Sequence, residues 1–187
     1  MASALVTGTS TGIGLATALA LGRAGHTVYA GMRNPDGAPQ LLEAIGKENL
    51  PVSIVTLDVD SDDSVESAAS TIRSRTGCVD VLMNNAGVER RGSIEELALE
   101  DFKATMETNY FGPLRCIRAF LPPMRERRSG GIINVSSAAG RIACSPLAPY
   151  SASKFALEAL SEALAQEVRQ FNIRVAIVQP GIIDLPN

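Results

Sequence analysis

The chain has 187 residues, of which 45% are hydrophobic and 20% charged, and it carries a formal net charge of −3 at pH 7. This length suits one well-buried domain and is short for two, and the composition is that of an ordinary globular protein. The acidic balance excludes a broad positive surface for nucleic acid, and no apolar run approaches the roughly 20 residues that cross a bilayer. We therefore expect neither nucleic acid nor a membrane as a partner.

Short apolar runs alternate with amphipathic segments from one end of the chain to the other. Six runs rich in valine and isoleucine predict strands at Ala4–Thr7, Thr27–Met32, Val52–Leu57, Val79–Asn84, Gly131–Ser136 and Ile173–Gln179. Five amphipathic segments predict helices at Gly12–Ala24, Ala38–Lys47, Ser61–Arg75, Leu99–Arg127 and Pro149–Phe171. Continuous apolar strands suit a sheet that is covered on both faces. The alternation predicts an α/β protein with a doubly wound parallel sheet and right-handed crossovers, as a single domain over residues 1–187.

Two of the predicted helices carry local signals. The third follows Asp60 and Ser61, and either side chain can cap its N-terminus. The fourth contains Pro113, which cannot donate a backbone hydrogen bond, so we expect a bend or break near Gly112.

A glycine-rich stretch, Thr7-Gly-Thr-Ser-Thr-Gly-Ile-Gly14, connects the first predicted strand to the first predicted helix. In a dinucleotide site of this kind, Gly8 permits a tight turn, Gly12 lets the backbone approach a pyrophosphate, and Gly14 allows close packing of helix and strand. Helix N-terminal N–H groups then receive the phosphates. Glycines also serve any tight strand–helix corner, and the spacing differs from the commoner G-x-G-x-x-G form. The strand before the loop and the helix after it favour dinucleotide binding.

The end of the second predicted strand indicates which dinucleotide would bind. An acidic residue at this place usually bonds the ribose 2′-hydroxyl of NAD, whereas an arginine accommodates the 2′-phosphate of NADP. Here the strand ends in Met32-Arg33, with no carboxylate before Asp36. The guanidinium of Arg33 offers a planar fork to a phosphate, although it could also be a solvated loop arginine. We expect NADP(H) to be preferred and NAD(H) to remain possible.

The fifth predicted helix begins with Tyr150-Ser-Ala-Ser-Lys154, which places a phenol and an ammonium one turn apart on one face. A free tyrosine has a pKa of about 10, so it is a poor base near neutral pH. One ammonium about 5 Å away, at an effective dielectric constant near 20, supplies roughly 3 kcal/mol toward ionising it. We therefore expect Lys154 to lower the pKa of Tyr150. A Y-x-x-x-K pair alone is equally consistent with an amphipathic helix surface.

Two serines, Ser136 and Ser137, follow the fifth predicted strand at the edge of the sheet where a dinucleotide would lie. A serine hydroxyl there can donate a hydrogen bond to a substrate oxygen whose charge changes during the reaction. Serines after a strand also cap helices and form turns, and one of this pair is expected to do so.

These motifs, taken together and in order, resemble the short-chain dehydrogenase/reductase family. They are Thr7–Gly14, Asn84-Asn-Ala-Gly87, Asn109, Ser137, Tyr150 with Lys154, and Pro180-Gly181, and they extend over almost the whole chain. The resemblance implies a Rossmann-type sheet with strand order 3-2-1-4-5-6, usually with a seventh strand. It also implies an NADP-dependent oxidoreductase that interconverts an alcohol and a ketone or aldehyde by hydride transfer.

The resemblance assigns roles residue by residue. Tyr150 is the expected acid/base, Lys154 lowers its pKa and holds the nicotinamide ribose, Ser137 orients the carbonyl, and Asn109 supports a water-mediated proton relay to the lysine. Asp58 and Val59 resemble an adenine-contacting pair. The residues expected to bind the dinucleotide are Gly8, Ser10, Thr11, Gly12, Ile13, Gly14, Arg33, Asp58, Val59, Asn85, Ala86, Gly87, Tyr150, Lys154, Pro180, Gly181 and Ile183.

The sequence departs from the family pattern near its C-terminal end. Leu185 stands where the family usually has a threonine, which puts one nicotinamide contact in doubt. The family usually continues with another helix and strand, so we expect the C-terminal substrate-binding segment to be absent and the sixth strand to be an exposed edge. We interpret the chain as an incomplete or partly ordered polypeptide.

The remaining features bear on cellular setting and partners. The N-terminus lacks a signal-peptide pattern, and Cys78, Cys116 and Cys144 have no metal-ligand spacing, so we expect reduced thiols and a cytoplasmic location. His26 is the only histidine, which disfavours a histidine triad or a zinc site. The expected partners are a small alcohol or carbonyl substrate and, from the family resemblance, further copies of the chain. They would form a homodimer or homotetramer through the fourth and fifth helices.

Other functions remain open on the sequence alone. A non-catalytic dinucleotide-binding module, or a scaffold inactivated by truncation, would keep the same fold. Sugar-nucleotide epimerases and dehydratases are related, but they favour a G-x-x-G-x-x-G loop and a longer substrate domain. The complete set of reacting residues favours the oxidoreductase.

Overall fold

The computed structural model describes residues 1–183, and its six strands alternate with helices. The strands are β1 (Ser3–Thr7), β2 (Thr27–Met32), β3 (Val52–Thr56), β4 (Val81–Asn84), β5 (Gly130–Val135) and β6 (Ile173–Val178). The helices are α1 (Gly12–Arg23), α2 (Pro39–Glu48), α3 (Asp62–Thr76), α4 (Leu99–Met106), α5 (Gly112–Arg127) and α6 (Ala148–Val168). All pairings are parallel, in the order β3-β2-β1-β4-β5-β6. The predicted class and strand order are confirmed.

Two hydrophobic clusters cover the two faces of the sheet. Successive residues of β1 point to opposite faces, so fully buried Leu5 belongs to one cluster and fully buried Val6 to the other. The first cluster includes side chains of α3, α5 and α6, and the second includes side chains of α1 and α2. Burial on both faces explains why the strands are continuous apolar runs.

The fourth predicted helix is broken, as Pro113 indicated. One π-helical turn, Glu107–Phe111, separates α4 from α5, so the expected break near Gly112 is confirmed and the predicted segment Leu99–Arg127 forms two α-helices. The backbone N–H of Gly112 bonds to the carbonyl of Glu107, which is the π-helical spacing. Pro113 has no N–H to offer the carbonyl of Asn109, so the α-helical hydrogen-bond pattern cannot continue through this turn.

Smaller outcomes concern the element ends. Ser61 caps α3, since its Oγ accepts a hydrogen bond from the N–H of Ser64. Strand β4 begins at Val81 rather than Val79, after Asp80, whose carboxylate binds the backbone N–H of Ser3. β6 is an edge strand of the sheet formed by residues 1–183, and Val178 is 42% exposed. The predicted departure at Leu185 lies outside the described residues.

Candidate functional site

The glycine-rich loop after β1 makes contacts that only glycine allows. Gly8 has φ +69°, and a Cβ built on it would lie 2.7 Å from the Cα of Ala86 in the loop after β4. A Cβ on Gly14 would lie 2.2 Å from the carbonyl oxygen of Gly8. Gly12 also has a positive φ, of +60°. The loop is therefore folded tightly on itself and against the next segment, which requires these glycines.

The segment after β4 braces this loop from the side. The Thr7 hydroxyl accepts hydrogen bonds of 3.0 Å from the backbone N–H groups of Asn85 and Ala86. In return, Asn85 Nδ2 donates to the carbonyls of Thr7 at 2.9 Å and Gly8 at 3.1 Å. Asn85, predicted from the family resemblance to line an adenosine site, therefore also fixes the shape of the glycine-rich loop.

Helix α1 begins with backbone donors free to meet an anion. Its N-cap, Thr11, is extended and makes no side-chain capping bond, and the first turn contains no acidic residue. A helix N-terminus with uncapped N–H groups favours negative charge through both hydrogen bonding and the helix dipole. The loop and the helix end together fit a pyrophosphate.

A cleft of about 380 Å³ extends from this loop across the carboxyl ends of β2, β3 and β4. Nine predicted dinucleotide-binding residues line it: Gly8, Ser10, Thr11, Arg33, Asp58, Val59, Asn85, Ala86 and Gly87. Seven further lining residues were not predicted: Met32, Asn34, Gly37, Leu57, Asp60, Val88 and Thr108. Most of them are neighbours in the chain of predicted residues, because the prediction picked out the positions at the ends of the strands. Thr108, which precedes the predicted Asn109, is not at a strand end, and its hydroxyl donates a 2.8 Å bond to Asp60.

Arg33 lies at the end of β2 and lines the cleft with its side chain exposed. It forms no salt bridge with any residue in the range 1–183. The neighbouring Asn34 accepts a 3.1 Å bond from the backbone N–H of Asp36, which shapes the turn after Arg33. The guanidinium is thus available to a phosphate at the β2 end of the cleft.

Lys154 is almost completely buried on α6, with 4% of its surface exposed. Its Nζ donates a 2.9 Å hydrogen bond to the backbone carbonyl of Val135 at the end of β5. The same Nζ lies 5.6 Å from the centroid of the Tyr150 ring. Burial lowers the pKa of Lys154 to about 8. The predicted one-turn pairing of the two side chains is confirmed.

The pKa of Tyr150 departs from the sequence-based expectation. Burial raises this pKa above its ordinary value, a hydrogen bond with the Ser137 side chain lowers it, and the negative charge of Glu89 raises it further. The expectation of a net lowering of the pKa is wrong for the protein alone, since desolvation of the phenol outweighs the hydrogen bond that favours the phenolate. Tyr150 is therefore a protonated phenol at neutral pH.

Of the two serines after β5, Ser137 is the one beside Tyr150. Its Oγ also accepts a 3.1 Å bond from the N–H of Ala139, which caps the short 3-10 turn Ala138–Gly140. Ser136 is buried at 3% exposure, and its hydroxyl has no hydrogen-bond partner within residues 1–183. The capping role and the position facing the tyrosine thus belong to the same residue, Ser137.

Asn109 lies in the π-helical turn and is fully buried. Its side-chain Oδ1 accepts a 2.8 Å bond from the N–H of Val88, and its Nδ2 donates to the Val88 carbonyl at 2.8 Å and to Ser153 Oγ at 3.0 Å. The Ser153 hydroxyl in turn donates to the carbonyl of Tyr150 at 2.7 Å. Asn109 therefore connects the loop after β4 to the helix that carries Tyr150. Ser153 was missed because a serine inside a helix gives no sequence signal of its own.

Gly87 joins the cleft to the reacting side chains. It lines the cleft, and a Cβ built on it would lie 3.2 Å from Asn109 Oδ1 and 3.5 Å from Lys154 Nζ. The dinucleotide cleft and the Tyr150–Lys154 pair are consequently parts of one continuous site.

The remaining predicted residues lie elsewhere around this site. Gly12, Ile13 and Gly14 form the start of α1 and do not line the cleft. Pro180 is held beside the Ser137 turn, where its carbonyl accepts a 2.9 Å bond from the N–H of Ala138. Gly181 and Ile183 are exposed, and neither lines the cleft.

Residues 1–183 contain no group of three or more His, Cys, Asp or Glu side chains arranged to hold a metal ion. Within the same range, every helix is too short or too polar to span a bilayer.

The sequence model of a family described as short chain dehydrogenase matches residues 2–187. A 3-ketodihydrosphingosine reductase of Bacteroides thetaiotaomicron is 44% identical over 177 residues, which cover 95% of this chain and 62% of that protein. An NADPH-dependent pterin aldehyde reductase of Arabidopsis thaliana is 39% identical over 181 residues, covering 96% of this chain and 74% of that protein. The chain thus spans about three fifths of the length of the first relative.

The fold is also similar to solved structures. A crystal structure of an actinorhodin polyketide ketoreductase with NADPH superposes with a TM-score of 0.94 and 36% sequence identity, covering 99% of this chain and 72% of that one.

Proposed function

Because this chain belongs to the short chain dehydrogenase family, we propose that it forms the catalytic part of an NADP-dependent oxidoreductase that interconverts an alcohol and a ketone or aldehyde. The observation that carries the proposal is the single site in which Gly87 joins the cleft to Tyr150 and Lys154. The two relatives described above are named as reductases, one of a keto compound and one of an aldehyde.

The residues of the cleft fit a dinucleotide. The glycine-rich loop folds tightly on itself and against Ala86, and the N-terminus of α1 offers uncapped N–H groups to a pyrophosphate. Asp58 and Val59 line the portion where an adenine would lie, and Arg33 offers its charge to a 2′-phosphate. The ketoreductase structure with NADPH and the relative named as NADPH-dependent support the same preference.

Ser137 and Tyr150 have different roles in the proposed reaction. The chemistry that the dinucleotide supplies when bound is hydride donation to the carbonyl carbon. Ser137 donates a hydrogen bond to the substrate oxygen, and Tyr150, whose raised pKa keeps it protonated at neutral pH, gives that oxygen its proton. Help from a general acid of this kind contributes roughly 10²–10⁴-fold to the rate.

Lys154 and Asn109 support this proton transfer. The ammonium of Lys154, fixed by the Val135 carbonyl beside the Tyr150 ring, stabilises negative charge as it develops on the phenol. It also lies next to the cleft wall at Gly87, where it can hold a nicotinamide ribose. Asn109 binds both the Val88 backbone and Ser153 of α6, and so fixes the position of α6 relative to the loop after β4. A water-mediated path from Asn109 to Lys154 would return the proton to Tyr150.

We further propose that the chain self-associates through α4, α5 and α6. Phe111, at the end of the π-helical turn, is 41% exposed, and Phe155 on α6 is 43% exposed. Exposed aromatic side chains on helices are typical of interfaces between proteins. Sedimentation velocity of the chain and of a Phe155→Glu variant tests this, with a lower mass expected for the variant.

Oxidation of NADPH in the presence of a panel of ketones and aldehydes, repeated with NADH, tests the proposed activity. We expect turnover with at least one carbonyl and a higher kcat/KM with NADPH than with NADH. Binding of NADPH without turnover of any carbonyl would instead favour a non-catalytic dinucleotide-binding module.

A further inference from the structure

One buried carboxylate lies next to the proposed site and has no part in the mechanism above. Glu158 is on α6 and is only 4% exposed. Tyr150, Lys154 and Glu158 follow one another at four-residue intervals, so they lie along one face of the helix. A carboxylate removed from water is costly unless charged or hydrogen-bonding groups compensate it. The groups that contact the Glu158 carboxylate therefore identify the segments that it holds in place.

Those partners come from two different segments. Gln179 Nε2 donates to both carboxylate oxygens of Glu158, at 2.8 Å and 2.9 Å. Nη1 of Arg141 lies 3.7 Å from Oε2 of Glu158. Gln179 follows β6 and directly precedes Pro180 and Gly181, whereas Arg141 ends the turn that Ser137 begins.

The same two segments are also joined through their backbones. The N–H of Ser136 bonds to the carbonyl of Val178 at 2.8 Å, and that of Ala138 to the carbonyl of Pro180 at 2.9 Å. β6 is an edge strand in residues 1–183, and its exit is bonded to the turn that follows β5 and to α6. Glu158 supplies the side-chain contact from α6.

We propose that Glu158 is a positioning residue, which fixes the β6 exit, Gln179–Gly181, against the Ser137–Arg141 turn. This exit then forms the wall that the nicotinamide half of the dinucleotide meets beside Tyr150. The inference rests on the proposed function, because the wall has a role only if a dinucleotide binds. The adenosine half lies at β2 and β3, far along the sheet from this contact, and does not depend on it.

The test compares two ligands that differ in the nicotinamide half. NADPH and 2′,5′-ADP, which lacks that half, are titrated against the 187-residue chain and its variants by calorimetry. In Gln179→Ala, an exposed change that removes the donor to Glu158, we expect the Kd of NADPH to rise about tenfold, as for loss of hydrogen bonds to a charged group. The Kd of 2′,5′-ADP is expected to stay within about twofold.

Two further variants separate positioning from a general structural effect. Glu162→Gln is the matched control, because Glu162 lies one turn further along α6, contacts Arg141 at 3.5 Å and makes no bond to Gln179. We expect wild-type affinity for both ligands. The reciprocal pair Glu158→Gln with Gln179→Glu restores an amide–carboxylate contact and is expected to recover at least part of the NADPH affinity lost in Glu158→Gln.

The outcomes are distinct. Equal losses for NADPH and 2′,5′-ADP in Gln179→Ala, or no loss for either, would overturn the positioning role while leaving the proposed function intact. A wild-type chain that binds neither ligand would reject the proposed function and this inference together.

Discussion

The ammonium of Lys154 is held by the backbone carbonyl of Val135 at 2.9 Å, with no carboxylate among its hydrogen-bond or salt-bridge partners in residues 1–183. A neutral carbonyl compensates a buried charge less well than an ion pair does. Burial therefore lowers the pKa of Lys154 from its ordinary value of 10.5 to about 8. The folded protein carries this charge at a cost in stability, and the cost depends on pH.

The first prediction concerns that dependence. Because the pKa of Lys154 is lower in the folded protein, the unfolded chain binds more protons between pH 8 and pH 10.5, and stability rises with pH across this window. We expect the free energy of unfolding of the wild type, relative to Lys154→Met, to increase by up to about 3 kcal/mol across it. Urea unfolding at several pH values measures this difference.

Lys103→Met serves as the control for that experiment, since Lys103 is exposed on α4 with 68% of its side chain accessible. The free energy of unfolding of Lys103→Met, relative to that of the wild type, should not change with pH between 8 and 10.5. If the free energy of unfolding of the wild type relative to Lys154→Met also does not change with pH, folding does not lower the pKa of Lys154.

Glu89 gives a second pH prediction, for activity. Its negative charge raises the pKa of Tyr150, so Glu89→Gln lowers that pKa. Oxidation of an alcohol requires the phenolate, and its kcat/KM therefore rises with pH along a limb that reports this pKa. We expect the limb to move to lower pH in Glu89→Gln and to stay in place in Glu95→Gln, a change of an exposed residue in the same segment. Movement to higher pH would contradict the assignment of Tyr150.

Arg33 gives a prediction about cofactor choice. The guanidinium lines the cleft without a salt-bridge partner in the described residues, so a 2′-phosphate would be its natural ligand. We expect Arg33→Gln to weaken NADPH binding by roughly tenfold to a hundredfold, as for a lost charge-assisted hydrogen bond. NADH, which has no 2′-phosphate, is the internal control in the same fluorescence titrations. Equal weakening of both would assign Arg33 a different role.

A pair of glycine substitutions tests the loop. In Gly8→Ala the new Cβ would lie 2.7 Å from the Cα of Ala86, on a residue whose backbone is in the left-handed region. We therefore expect the free energy of unfolding to fall by at least about 1–2 kcal/mol. We also expect weaker binding of NADPH. Gly46→Ala is the matched control, because nothing lies within 4 Å of its Cβ position in α2. It should gain about 0.5–1 kcal/mol. Urea unfolding compares them, and a Gly8→Ala variant of wild-type stability would contradict the close approach.

The order of strands and helices could be predicted because each strand is an apolar run and each helix is amphipathic. The π-helical turn at Glu107–Phe111 could be located only as a break near Pro113, because a single proline does not specify which hydrogen-bonding pattern replaces the α-helical one. The strand order required the family resemblance, since periodicity alone does not say which strands pair.

The candidate site was predicted where motifs stand at strand ends, and the structure brings Ser137, Tyr150 and Lys154 together there. Its electrostatics could not be predicted in the same way. The spacing of the charges predicted that Lys154 has the main influence on the pKa of Tyr150, but the burial of the phenol depends on the packing of distant segments and changes the sign of the pKa shift. Contacts such as Glu158 with Gln179 likewise join residues that carry no shared sequence motif.

Transfer of deuterium from NADPH labelled at both C4 positions of the nicotinamide tests whether the chain reduces a carbonyl by hydride transfer with Tyr150 as the proton donor. With a carbonyl that the wild type reduces, we expect one deuterium on the carbinol carbon of the product, detected by mass spectrometry. Tyr150→Phe should bind NADPH with nearly unchanged affinity but transfer deuterium at least about 10²-fold more slowly, because its proton donor is missing. Tyr110→Phe, an aromatic control in the π-helical turn, should behave as the wild type. Transfer by Tyr150→Phe at the wild-type rate, or no transfer by the wild type to any carbonyl despite bound NADPH, would rule out the proposed reaction.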